Sequence, residues 1–154
     1  MNADVAPAGR GKRLAVQRPG CRPGTPAVCE YSFVPGFVSA ITIDCLDPGR
    51  LAAFWGALLG RPESPSLPGW RQLGRRGEAA PRINLQPVPE PKRGKARIHL
   101  DVTVDDIEEG VGSVLRLGGH ATGERHDYDE GVVVVMADPE GNEFCLVQYY
   151  GPPG

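Results

Sequence analysis

The chain has 154 residues and a mass of 16.5 kDa, which fits one compact domain and leaves no room for a second full core. With 40% hydrophobic and 23% charged residues its composition is that of a globular protein, which excludes disorder throughout the chain. The formal net charge of −2 offers no general attraction to polyphosphate, so no nucleic acid is expected as a partner.

The first 36 residues differ in composition from the rest. They hold five Pro, five Gly and five basic residues against two acidic ones, with no apolar period, and this predicts a disordered tail. Two interpretations stay open, a solvated extension and a basic arm that contacts anionic surfaces. No apolar stretch typical of a secretory or membrane segment follows, so we expect a cytoplasmic protein that does not enter membranes. The four cysteines form no CxxC pair, which favours reduced thiols.

The first predicted strand runs from Phe37 to Cys45 and is rich in β-branched residues. Asp47 is a good N-cap for a helix that ends at Gly60, because Leu51, Phe54, Trp55, Leu58 and Leu59 recur at helical spacing. Two short strands follow, near residues 70–73 and 82–88. Prolines close this half of the chain.

The second half opens with a strict alternation of polar and apolar residues over positions 97–104, which predicts a two-faced strand. Asp105 or Asp106 then caps a second helix, which Gly118 and Gly119 end. Strands are predicted near residues 120–125, 132–137 and 143–149. The order of strand, helix and further strands therefore occurs twice, with an offset of 58 residues between Asp47 and Asp105.

Three segments of the chain resemble the vicinal oxygen chelate superfamily, which contains glyoxalases, extradiol dioxygenases and bleomycin-resistance proteins. They are residues 43–55, 95–106 and 138–147. The resemblance covers residues 37–150 and implies an α+β fold, in which paired βαβββ modules form a cup-shaped mixed sheet with the helices on its convex face. Module one spans residues 37–91, module two spans 95–150, and 151–154 form a short tail. A homodimer that binds a small molecule in the cup is expected.

Metal-using members of this family hold a divalent cation with four side chains, two from each module. By the resemblance, those positions fall on Ala40, Asn84, His99 and Cys145. Only His99 matches a family ligand, and one imidazole with an amide and a thiol does not make the oxygen-rich site that such ions need. No cofactor is therefore predicted, although the family leaves a divalent metal as an open alternative.

The alternating segment supplies the candidate catalytic residues Arg97, His99 and Asp101, which share one face of the predicted strand. Ile98 and Leu100 project from the opposite face, which is expected to meet the helices. If the polar face lines the cup, His99 acts as acid or base, Asp101 orients it and Arg97 holds an anionic or carbonyl group. The alternative is a polar ladder in which the three side chains satisfy one another.

The same alternation on the other strands gives the candidate ligand-binding residues. Trp55 and Trp70 are candidates for the pocket floor, although Trp55 also lies on the apolar stripe of its helix. Asp44 is either a site residue or the partner of an arginine. The full set is Asp44, Trp55, Trp70, Asn84, Gln86, Glu143 and Cys145.

Two functions remain open from the sequence. The first is a glyoxalase-like protein that binds a small polar or aromatic molecule and acts as a lyase or isomerase through His99. The second is a non-catalytic protein that sequesters a drug or metabolite, as bleomycin-resistance proteins do. The missing ligand positions favour the second.

Overall fold

The structure is a computed structural model that describes residues 36–151. The predicted tail of residues 1–36 lies outside the described residues except for Gly36, and so do residues 152–154. Residues from Phe37 onward form one compact unit. Among the described residues no helix is long and apolar enough to cross a membrane.

The predicted order of elements is confirmed, with a fourth short strand in the first half that the sequence analysis does not anticipate. The first half contains β1 (Ala40–Cys45), α1 (Pro48–Leu58), β2 (Glu63–Ser64), β3 (Arg71–Leu73) and β4 (Arg82–Pro87). The second half contains β5 (Asp101–Thr103), α2 (Ile107–Arg116), β6 (His120–Tyr128), β7 (Gly131–Ala137) and β8 (Glu143–Tyr149). Each half is a βαβββ module, so the α+β class is confirmed.

The strands form two four-stranded mixed sheets with the same topology. Their strand orders are β1-β4-β3-β2 and β5-β8-β7-β6. The first strand of each module pairs in parallel with the last, and the remaining pairs are antiparallel. A parallel pairing needs a crossover between its strands, which the helix and two strands in between supply.

Both helices begin and end as the sequence predicts. The Asp47 carboxylate accepts a hydrogen bond from the Arg50 amide at 3.0 Å, and Asp106 rather than Asp105 does the same for Glu109 at 2.8 Å. Such side chains satisfy amides that have no partner within the first turn of a helix. Gly60 and Gly118 follow the helices with φ of +61° and +90°, a conformation that favours glycine.

A single hydrophobic core joins the two modules. Phe54 and Trp55 of α1 meet Phe144 of β8 edge-to-face, with the ring centroids of Trp55 and Phe144 4.9 Å apart. All three rings are almost fully buried, and Leu146 and Val114 of module two belong to the same core cluster. Because aromatic side chains bury large apolar areas, this contact is a main source of attraction between the modules.

The turn at residues 138–142 joins the modules through hydrogen bonds. The buried Asp138 carboxylate accepts four hydrogen bonds, from the Trp55 indole at 3.2 Å, from the amides of Glu140 and Asn142, and from the Asn142 side chain. Glu140 in turn accepts from the amides of Leu46 and Asp47, at 2.8 and 2.7 Å. The turn is therefore attached to the start of α1.

The strand expected over residues 97–104 is shorter in the structure, which corrects the prediction. β5 covers only Asp101–Thr103, and its hydrogen-bonded contact with β8 begins where the Cys145 amide donates to the Leu100 carbonyl at 2.9 Å. Its partner β8 starts at Glu143, whose side chain already binds the Ala96 amide. In the register of Asp101 with Cys145, Arg97 and Ile98 fall opposite the 138–142 turn rather than opposite β8, so the alternation there does not produce a paired strand.

Candidate functional site

A cavity of about 480 Å³, here called the inter-module pocket, lies between β1, the 88–100 segment and the start of β8. This volume is within the range of small-molecule sites in proteins. Both modules contribute to its walls, and its apolar side chains are Ile41, Ile43, Trp55, Val88, Ile98, Leu100 and Phe144.

Polar side chains also line the inter-module pocket. They are Thr42, Asp44, Glu90, Lys92, Arg93, Asn142 and Glu143. Asp44 is exposed, and no cation of residues 36–151 lies within ion-pair distance of it. The alternative that Asp44 is the partner of an arginine therefore finds no support in the described part of the chain. The pocket combines apolar walls with a few groups able to hydrogen-bond a ligand.

The segment that connects the modules is held against the pocket by Glu143. The Glu143 carboxylate binds the Lys92 ammonium at 2.8 Å and accepts a hydrogen bond from the Ala96 amide at 3.0 Å. Each of the two charged side chains is only 19% exposed. The hydrogen bond from Lys92, against the cost of desolvation and with help from the Ala96 amide, lowers the pKa of Glu143 to about 2.

This pKa gives a testable dependence of stability on pH. Because the folded pKa lies below the ordinary 4.5, the stabilisation by Glu143 is fully present above that value and is lost as the pH falls towards 2. In Glu143→Gln, the free energy of unfolding should therefore fall less steeply between pH 5 and pH 2 than in the wild type. Urea unfolding across this range measures it. The exposed turn variant Asp129→Asn should follow the wild-type curve, and equal slopes for Glu143→Gln and wild type would refute the ion pair.

The structure does not join the three candidate catalytic residues. Arg97 and His99 are exposed in the segment before β5, and neither is among the residues that line the inter-module pocket. Asp101 lies in β5 and lines a separate cavity of about 210 Å³ with Tyr128 and Tyr149. Within residues 36–151 no hydrogen bond or ion pair links the three side chains. Their catalytic roles stay a prediction.

The alternation on the first sheet does place the expected residues on a common face. Asn84 of β4 lies opposite Thr42 of β1, and its amide donates to the Thr42 hydroxyl at 3.4 Å. Gln86 lies opposite Asp44 in the same register. Trp70 lines another cavity, of about 370 Å³, together with Asn84. Of the expected ligand-binding residues, Asp44, Trp55 and Glu143 line the inter-module pocket and Trp70 and Asn84 line the other cavity. Gln86 and Cys145 line neither of the two.

Cys145 pairs with Asp101 across β5 and β8 and is buried. Burial, with a smaller contribution from the charge of Asp101, raises the pKa of this thiol. The neutral thiol is a poor nucleophile and a poor metal ligand, since the thiolate performs both tasks. Cys145 therefore serves as a small apolar residue of the sheet, next to Val135 and Val147.

The side chains at the family's metal positions do not fit a divalent ion. Ala40 has no donor atom, Asn84 is bound to Thr42, and the Cys145 thiol is buried. Across residues 36–151 no group of three or more His, Cys, Asp and Glu side chains is arranged to hold a metal. The residues at these positions differ from those of the metal-using members of the family. They supply too few oxygen and imidazole ligands for a divalent ion.

Sequence reasoning missed the apolar half of the pocket. It assigned Ile98 and Leu100 to the face that meets the helices, yet both line the inter-module pocket. Ile98 is 83% exposed, which is unusual for an isoleucine. This exposure depends on the folded arrangement of the chain and could not be predicted from the alternation of polar and apolar residues. The structural roles of Asp138 and Glu140 were also missed.

Comparison with known proteins gives one family and many similar structures. The model of the "Glyoxalase-like domain" family matches residues 40–147. A glyoxalase/bleomycin resistance protein/dioxygenase family enzyme from Burkholderia phytofirmans is 19% identical, with a TM-score of 0.63 over 75% of this chain and 100% of that one. Comparison with curated proteins gives no significant match.

Two further structures have named activities. A fosfomycin resistance protein from Listeria monocytogenes is 17% identical, with a TM-score of 0.61 over 77% of this chain and 96% of that one. A lactoylglutathione lyase from Agrobacterium tumefaciens is 18% identical, with a TM-score of 0.54 over 75% of this chain and 95% of that one. At these identities the likeness establishes the fold and leaves the activity undetermined.

Proposed function

The chain belongs to the glyoxalase-like domain family of the vicinal oxygen chelate superfamily, and on that premise we propose that it binds and sequesters a small aromatic molecule with a polar edge in the inter-module pocket. The observation that carries this proposal is the composition of the pocket, whose apolar walls come from both modules. Proteins of this fold act on or bind varied small molecules, so the ligand must be inferred from the residues of the site rather than from the fold.

The apolar walls favour a flat hydrophobic ligand. Trp55 and Phe144 are among the residues that line the pocket, where each is only 1% exposed, and Ile98 adds an exposed apolar side chain. A ligand that covers Ile98 removes apolar surface from water, which contributes roughly 25 cal/mol per Å². Aromatic rings in the ligand gain further from edge-to-face or offset contacts with the protein rings.

The polar residues of the pocket favour a ligand with one or two hydrogen-bonding groups. The Asp44 carboxylate has no cationic partner within residues 36–151 and is free to accept a hydrogen bond from a hydroxyl or amine. Glu143 and Lys92 neutralise each other, so they hold the connecting segment in position rather than attract a charged ligand. Of the other charged groups of the pocket, Asp44 and Glu90 are negative and only Arg93 is positive, so the pocket suits a neutral molecule better than an anion.

Sequestration is preferred to turnover because His99, the acid or base that the sequence predicts, is not among the residues that line the pocket. Acid or base catalysis requires a titratable group within hydrogen-bond reach of the reacting atom. The exposed His99 lies outside the pocket lining, and nothing in its surroundings favours the lyase or isomerase alternative. We also propose that the protein forms a homodimer and is located in the cytoplasm.

The test is isothermal titration calorimetry with 2-naphthol, a flat probe with one hydroxyl. We expect a dissociation constant of about 1 mM or lower, which is ordinary efficiency for a ligand of this size. Ile98→Glu, which adds a charge at the exposed pocket wall, should weaken binding about tenfold.

Two controls accompany this titration. Leu115→Glu changes another exposed apolar residue, which lies on α2 and does not line the pocket, and it should bind as the wild type does. His99→Ala should also bind normally. If Ile98→Glu and Leu115→Glu bind equally well, or if the probe does not bind, the inter-module pocket is not the ligand site.

A further inference from the structure

A second cavity, of about 580 Å³, is independent of the inter-module pocket. It lies between the chain before β1 and the loop that leads into β4. Three arginines line it, Arg75, Arg76 and Arg82, and we call it the arginine cavity. None of the three arginines lines the inter-module pocket.

The positive charge of the arginine cavity is not balanced within the described residues. Glu78 is the only acidic residue among those that line it, and its carboxylate is bound by Arg61 at 2.7 Å. That hydrogen bond lowers the pKa of Glu78, and the negative charge of Glu78 is paired with Arg61. None of the three lining arginines has a carboxylate within 4.0 Å among residues 36–151. An anion would remove this imbalance.

Arg82 carries a second, independent indication. Its Nε is buried, and no acceptor lies within hydrogen-bond distance of it in residues 36–151. One terminal nitrogen of the same guanidinium donates to Gln72 at 3.3 Å. A buried donor without an acceptor is rare in native proteins, so the Arg82 guanidinium has hydrogen-bonding capacity that residues 36–151 do not use.

The loop that carries Arg75 and Arg76 is fixed in place. Arg61 donates to the Pro81 carbonyl at 2.6 Å as well as to Glu78, so one guanidinium ties two points of the loop. Gly74 has φ of +75°, and a Cβ there would collide with the Arg61 guanidinium. Because the loop is held before any ligand arrives, little conformational entropy is lost on binding.

The remaining wall of the arginine cavity is apolar. Phe37 and Val38 precede β1 and are largely exposed, and Ala79, Ala80 and Pro81 lie on the opposite loop. The preceding residues of this chain are a poor occupant, since residues 1–35 hold five basic and two acidic side chains and would be repelled. The cavity thus offers guanidinium groups together with an apolar surface.

We propose that the arginine cavity binds a small phosphate monoester with an apolar substituent. Guanidinium groups match phosphate oxygens with paired N–H donors, and a cluster of three favours a dianion over a singly charged carboxylate. Phe37 and Val38 contact the apolar substituent. This site is separate from the inter-module pocket, so either proposal can fail without the other.

The test is isothermal titration calorimetry of the full chain with phenyl phosphate, inorganic phosphate and benzoate at about 50 mM salt, where screening is modest. Phenyl phosphate should bind at one site per chain and about tenfold more tightly than benzoate. The double variant Arg75→Gln/Arg76→Gln should lose binding by about tenfold or more, and so should Arg82→Gln. The double variant changes only exposed loop residues, so we expect it to fold. If Arg82→Gln fails to fold, the loss of phenyl phosphate binding in the double variant tests the proposal.

A matched control separates this site from a general charge effect. Arg71→Gln removes one positive charge, as Arg82→Gln does, from an arginine that pairs with Glu63 outside the arginine cavity, and it should bind phenyl phosphate within about twofold of wild type. The proposal is overturned if phenyl phosphate does not bind, if benzoate binds equally well, or if Arg71→Gln loses as much affinity as the double variant.

Discussion

Replacing Phe144 with alanine is expected to lower the free energy of unfolding by about 3–5 kcal/mol. The Phe144 ring is 1% exposed and lies between the Trp55 and Phe54 rings, with centroids 4.9 and 6.0 Å away. Removing it takes away the module-two aromatic ring of this contact and leaves a cavity between α1 and β8. Urea unfolding followed by circular dichroism measures the loss.

Tyr150→Ala is the control for this variant, because it removes an aromatic ring that is 55% exposed near the end of the described chain. Its effect should stay within about 1 kcal/mol. Phe144→Leu should fall between the two, since leucine refills part of the cavity. If Phe144→Ala costs no more than Tyr150→Ala, the modules do not share a core through this ring.

Asp138→Ala is expected to cost about 3 kcal/mol. The Asp138 carboxylate is fully buried and accepts four hydrogen bonds, so its removal leaves the Trp55 indole and the Asn142 amide group without their acceptor. An unpaired buried donor costs about 1–3 kcal/mol, and this substitution leaves two side-chain donors unpaired, those of Trp55 and Asn142. Thermal and urea unfolding both report this loss.

The stability cost of Asp138→Ala should depend on the presence of Trp55, which a nonspecific loss of packing would not produce. Trp55→Phe removes the indole donor, so Asp138→Ala should cost less in the Trp55→Phe background than in wild type. Asp129→Ala removes an exposed acidic side chain of another turn and should be nearly neutral. Additive effects of Asp138→Ala and Trp55→Phe would contradict the role of Asp138 as the acceptor for Trp55.

Local patterns in the sequence predicted most of the fold. The two helices were predictable because capping residues, apolar spacing and terminal glycines agree at each of them, as at Asp47 and Gly60. The repeat was predictable because its elements recur at a constant offset. The strand over residues 97–104 was not, because its formation depends on where β8 begins, and alternation alone does not specify a partner strand.

The candidate site could be predicted only in part. Asp44 and Glu143 were identified because polar residues in apolar strands stand out, and both line the inter-module pocket. Ile98 and Leu100 were not identified, because an apolar residue in an alternating segment is ordinarily a core residue. The arginine cavity is formed by residues 37–39 and 75–82, which only the register of β1 with β4 brings together.

The titration with 2-naphthol, followed through the isoleucine methyl resonances, tests the ligand site most directly. The chain has five isoleucines, of which Ile41, Ile43 and Ile98 line the inter-module pocket, while Ile83 and Ile107 lie in the core outside it. Saturating shifts of the three pocket methyls, with Ile83 and Ile107 nearly unmoved, are expected. Shifts confined to the two core methyls, or no shift at any of the five, would contradict the account.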